Sequence, residues 1–190
     1  MGLFKLLEKK KEAIVKSWFD QVIKTYPGES AKMLNNNKDP FANPIGTSTN
    51  QSLQAVFDEL LKGMDHETIN SFLDPAIRMR AVQDFTPSKA VSFVFFLKTI
   101  VRDNMIKEIS EKRISDKELL DFDQKVDEVA LIAFDIYMGC REQIFTYRAN
   151  HVKSRTVKLL EKADILCEVP EVGTEIIPHN VYKNGEFGGD

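Results

Sequence analysis

Twenty residues near the middle of the chain, MRAVQDFTPSKAVSFVFFLK from Met79 to Lys98, constrain the fold more than any others. They hold a helix end, a turn and a helix start in close succession. Pro87 suits the first helical position, where its missing N–H loses no partner, and Thr86 before it is a natural N-cap. A nearly unbroken apolar run follows from Ala90 to Val101, interrupted only by Ser92, Lys98 and Thr99. A helix apolar on nearly every side has to lie in the middle of a bundle. The expected central helix runs from Pro87 to about Ile109, with Phe93, Val94 and Leu97 in the core.

Helical periodicity extends to both sides of this segment. Leu7, Ile14, Val15, Trp18, Phe19, Val22 and Ile23 recur at helical spacing and predict a first helix over 2–26, ended by Pro27-Gly28. Trp18 is expected to share the core with Phe93. Residues 28–47 hold Asn35-Asn36-Asn37, Asp39-Pro40 and Asn43-Pro44-Ile45-Gly46, which read as an ordered loop pinned by Phe41. A second helix is expected from Thr47–Thr49, with Leu53, Val56, Phe57, Leu60, Leu61 and Met64 on one face. A third helical stretch covers 65–84 and restarts at Asp74-Pro75, with Asp74 as the cap.

The fifth helix begins after Ser115, which forms a capping-box pattern with Glu118. No proline follows until Pro170, so this helix is expected to reach about Lys162. Leu119, Val126, Ala133, Cys140 and Tyr147 are spaced by sevens, and Phe122, Val129 and Ile136 follow the first three at an interval of three. That heptad-like seam predicts a homodimer contact, the alternative being that the same stripe only packs inside the monomer. Arg141, Arg148, Lys153, Arg155, Lys158 and Lys162 crowd the end of the helix, where positive charge suits the dipole without any nucleic acid. The reading is all-α: a helical bundle over 1–162 with a long C-terminal helix. Residues 163–190 read as an extended tail, rich in proline and glycine, whose Ile165, Leu166, Ile176 and Ile177 are candidates for docking on a partner.

Composition narrows the function. An apolar fraction of 43% supports one real core, and a net charge of −3 gives no global attraction to nucleic acid. No apolar run approaches the ~20 residues needed to span a bilayer, so no direct membrane insertion is expected. Glu8, Lys9, Lys10, Lys11, Glu12 and Lys16 break any signal-peptide core, which points to the cytoplasm. Cys140 and Cys167 form no CxxC pair and read as two reduced thiols.

Catalytic chemistry finds little support. His66, His151 and His179 lie in three different regions, and no HExxH, GxSxG or phosphate-binding loop occurs. Asp121, Asp123, Asp127 and Glu128 read as a solvated helix face, without the ExxH pairing of di-iron bundles. No catalytic residue, metal ligand or cofactor is expected, and the chain does not read as an enzyme. The polar groups around the 78–89 turn are the best candidates for a ligand site: Arg80, Gln83, Asp84 and Ser88 beside a helix N-terminus, with Arg78 and Lys89 nearby. The alternative is an Arg–Asp pair that holds the turn together.

RAVQDFTPSKAVSFVFFLK, together with the Trp18 helix and the elements TYPG and DPFANPIG, resembles the N-terminal domain of RsbRD, an RsbT co-antagonist. The resemblance covers roughly residues 10–150 and extends to the non-haem, globin-like input domains of stressosome RsbR proteins. It implies a globin-like α-helical domain that dimerises and passes a stress signal onward. In those proteins a STAS domain follows and carries the phosphorylated residues. Here 28 residues follow Lys162, short of the ~50 at the lower end for a domain, so a stand-alone domain acting by association is expected. Residues 75–85, PAIRMRAVQDF, lack the histidine a haem globin would need, and Phe93, Phe95 and Phe96 are expected to fill that volume. The leading expectation is a non-catalytic regulatory or sensory module. The alternatives are an accessory subunit docked on a larger metabolic or membrane-associated enzyme complex, and a protein that binds a small apolar ligand.

Overall fold

The computed structural model describes residues 2–36 and 43–163. In chain order the helices are α1 (Leu3–Lys9), α2 (Lys11–Lys24), α3 (Gly28–Asn36), α4 (Pro44–Lys62), α5 (His66–Val82) and α6 (Pro87–Val91). A 3-10 turn (Ser92–Val94), α7 (Phe96–Asn104), α8 (Ile106–Ser110) and α9 (Asp116–Lys162) complete them. No strand occurs among the described residues. The chain divides into two units, residues 1–141 and 142–190. The first holds the core: Trp18, Phe57, Leu60, Leu73, Phe93, Leu97, Phe122 and Val126 are all buried. In the second, residues 142–162 are helical and nearly all exposed.

Where the helices begin follows local chemistry. Asn43 caps α4 by accepting from the Gly46 N–H at 2.9 Å, with Pro44 in the first turn. The helix therefore starts three residues before the Thr47 expected from periodicity. Gly46 is required there, because a Cβ would lie 2.4 Å from the Asn43 amide nitrogen. Ser115 and Glu118 form the expected capping box: the Ser115 N–H and hydroxyl both reach Glu118 Oε2 at 2.9 Å. The Glu118 N–H donates back to Ser115 Oγ at 3.2 Å. Glu118 Oε1 also accepts from the Leu3 N–H at 2.9 Å, which ties the start of α9 to the start of α1.

Several expectations are corrected by the tertiary structure. Residues 28–36 are helical, not loop, with Leu34 buried; Phe41 lies outside the described residues. The first helix is two helices, broken at Lys10, and the central helix is broken at the 3-10 turn and again at Met105. Two of these breaks meet. The Lys10 ammonium donates to the Asn104 carbonyl at 2.6 Å and to Glu108 Oε1 at 2.8 Å. Helix α5 does not restart at Asp74: it is capped by Asp65, which accepts from the Thr68 N–H, and it runs through Pro75 unbroken. A proline inside a helix costs about 3 kcal/mol. Ile69, Leu73, Ala76, Ile77 and Ala81 are buried along α5, and each large aliphatic side chain returns about 1.5–3 kcal/mol, so packing wins.

Candidate functional site

The turn between α5 and α6 is built around Arg80. Arg80 is 1% exposed, and its guanidinium lies 4.7–5.1 Å from the ring centroids of Tyr26, Phe85 and Phe93. It donates to Thr25 Oγ1 at 2.9 Å, to the Val22 carbonyl at 3.5 Å and to the Lys89 carbonyl at 3.2 Å. Val22 and Thr25 sit at the C-terminal end of α2, where unsatisfied carbonyls carry partial negative charge. The cation thus closes α2 from the side. Burial pulls its pKa below the usual arginine value, with the Tyr26 hydroxyl acting against that.

Gln83, Asp84 and Ser88 are exposed, so Arg80 faces the interior while the other three face outward. Asp84 takes the left-handed conformation at φ 57°, and the Phe85 N–H bonds back to the Arg80 carbonyl at 3.2 Å. This is a Schellman-type helix end built without glycine. Asp84 pairs with Arg141 of α9 at 2.7 Å, and the same Arg141 donates to the Ala81 carbonyl at 3.0 Å. The Tyr137 hydroxyl donates to the Phe85 carbonyl. An Arg–Asp pair does hold the turn, but the arginine comes from α9. Arg78 binds Asp74 one helical turn earlier. Ser88 lies beside the Thr86 cap at 3.3 Å, and α6 spans only five residues.

Helix α9 is apolar on two opposite sides. Phe122, Val126, Val129, Ala133, Ile136 and Cys140 are buried. The heptad-like seam is therefore core over most of its length, while its last member, Tyr147, is 73% exposed. Leu120, Leu131, Phe134 and Met138 are exposed, from 43% to 65%. A helix advances roughly 100° per residue. At that pitch these four share one narrow face, roughly opposite the buried one. Periodicity in the sequence shows both rows and cannot tell which is inward. The expected aromatic cluster also divides: Phe93 is buried, whereas Phe95 is 45% exposed beneath the Lys98 ammonium.

Among the described residues no group of three or more His, Cys, Asp or Glu side chains is placed to hold a metal. No described helix is long and apolar enough to cross a membrane. Ile165, Leu166, Ile176 and Ile177, with Cys167, lie outside the described residues.

The family model described as the RsbT co-antagonist protein rsbRD N-terminal domain matches residues 12–152. No curated protein and no solved structure matches the chain.

Proposed function

The chain belongs to the RsbRD N-terminal domain family, and from that premise we propose that it is a non-catalytic regulatory module that acts by protein–protein association, pairing with itself through the outer face of α9. The observation that carries the pairing is the exposed cluster of Leu131, Phe134 and Met138, with Leu120 on the same face about three turns earlier. Monomeric proteins rarely leave large apolar side chains contiguous on one surface, and such patches mark interfaces. A second copy offers the same row, and a two-fold axis makes it self-complementary. The helix behind it is held firmly: Lys98 pairs with Asp127 at 2.7 Å, Arg102 pairs with Asp123, and Arg141 pairs with Asp84. A rigid helix presenting an apolar row suits a contact that transmits a state rather than a site that performs chemistry.

Sedimentation of the full chain at micromolar concentration tests the pairing. The expected species is a dimer, and replacing Leu131 and Met138 with Asp should give a monomer with unchanged helicity. A monomeric wild type, or a dimer untouched by the two substitutions, would remove α9 as the interface.

A further inference from the structure

The end of α9 carries a second exposed apolar face. Val152 and Leu159 are 62% and 64% exposed and stand seven residues apart, one above the other on the helix. Arg148, Arg155 and Lys162 repeat at the same interval along one flank, and Lys153 and Lys158 add to the charge. Glu142 and Glu161 are the only acids between 142 and 162. No ion pair among the described residues engages these five bases. The face is poorly suited to its own copy. In a parallel pair Arg148 would meet Lys153, and in an antiparallel pair the two basic flanks would meet each other.

The chain carries a complement of its own. Residues 164–190 hold six acids against the single Lys183. Four of those acids each precede an aliphatic residue: Asp164-Ile165, Glu168-Val169, Glu171-Val172 and Glu175-Ile176. We propose that the base-flanked apolar face at Val152 and Leu159 is covered by the acidic segment 164–190 of the same chain. Reach is ample. Arg148 to Lys162 spans about 21 Å of helix, and an extended chain covers that distance in about seven residues. The tether raises the local concentration of the segment to about the millimolar range, well above that of a second copy at micromolar protein. Opposite charges choose the orientation and make the contact sensitive to salt, while the aliphatic residues exclude water from Val152 and Leu159. The inference stands apart from pairing through Leu131 and Met138, which sedimentation reads separately.

Zero-length carbodiimide coupling of the full chain tests it, using an equal mixture of unlabelled and nitrogen-15-labelled protein and peptide mapping by mass spectrometry. Lys10 and Glu108, 2.8 Å apart, supply the internal control. The expected products join Lys153 or Lys158 to Glu168, Glu171 or Glu175 within one isotope population. Their yield should fall at least fivefold in molar salt and in the double variant R148E/R155E, while the Lys10–Glu108 product of that variant stays constant. The tail variant E171K/E175K should lose the same products with the helix sequence untouched. Three results would overturn the proposal: mixed-isotope products, products that persist in both variants, or no product where Lys10 and Glu108 couple.

Discussion

The indole N–H of Trp18 donates to the carbonyl oxygen of Phe93 at 2.7 Å, inside the bundle and across 75 residues of sequence. The bond joins α2 to the 3-10 turn that interrupts the expected central helix. The two rings also lie 6.2 Å apart, so one contact combines an apolar surface with a polar anchor. Trp18→Phe retains most of the ring and removes the donor, leaving a buried carbonyl without its partner at a cost of about 1–3 kcal/mol. Trp18→Ala also opens a cavity and should cost about 3–5 kcal/mol. Urea midpoints at constant slope measure both. A Trp18→Phe protein as stable as the wild type would show that the hydrogen bond contributes nothing net.

Arg80 allows its charge to be separated from its volume. Three aromatic rings and three oxygen acceptors surround it, and among the described residues no carboxylate pairs with it. Arg80→Ala should cost about 3–5 kcal/mol, from the cavity and the carbonyls left facing it. Arg80→Met fills the space and removes a buried charge that burial already disfavours, so it should cost less than half as much. Denaturant titration of the two variants decides the matter. Equal losses would mean that the hydrogen bonds to Thr25, Val22 and Lys89 dominate.

Gly46 lies inside α4, where alanine normally gains up to about 1 kcal/mol. Here the added Cβ would meet the Asn43 amide at 2.4–2.8 Å. That collision displaces the cap, worth about 1–2 kcal/mol, so Gly46→Ala should be net destabilising. In an Asn43→Ala background the same substitution should turn stabilising, because nothing remains to collide with. Thermal melts of the four proteins form the cycle; simple additivity would contradict the argument.

Glu118 gives a pH dependence with a definite sign. The Ser115 backbone N–H first, then the Leu3 N–H and the Ser115 hydroxyl, hold its pKa below the ordinary 4.5. The unfolded chain therefore takes up the proton first as pH falls. The contribution is full above the unfolded pKa and is lost as pH drops through the folded one. Solvent exposure keeps it small. The melting temperature of wild type should exceed that of Glu118→Gln by a constant margin above about pH 6. The margin should shrink as pH falls below the unfolded pKa and close once it has passed the lowered folded one. A margin that widens in acid would reverse the assignment.

The sequence by itself determined the all-α class, the capping box at Ser115 and Glu118, the reach of α9 to Lys162, and the burial of Trp18, Phe93, Val94 and Leu97. These are short-range matters of proline, cap chemistry and hydrophobic spacing, and spacing reports that a side chain is apolar at a given angle on its helix. Only the tertiary structure decided which angle points inward. Helix α9 has apolar rows on two sides, and packing chose Val126 and Ala133 for the core and left Leu131 and Met138 outside. Tertiary contacts also decided the breaks: Lys10 reaches Asn104 and Glu108, and Trp18 meets the turn at Phe93, both between residues more than 70 positions apart. Pro75 stayed inside a helix because buried aliphatic surface outweighed one lost hydrogen bond. Arg80 marked the right turn in the sequence, and its side chain turned inward because three aromatic rings and the open end of α2 lay there. None of those is adjacent to it in the chain.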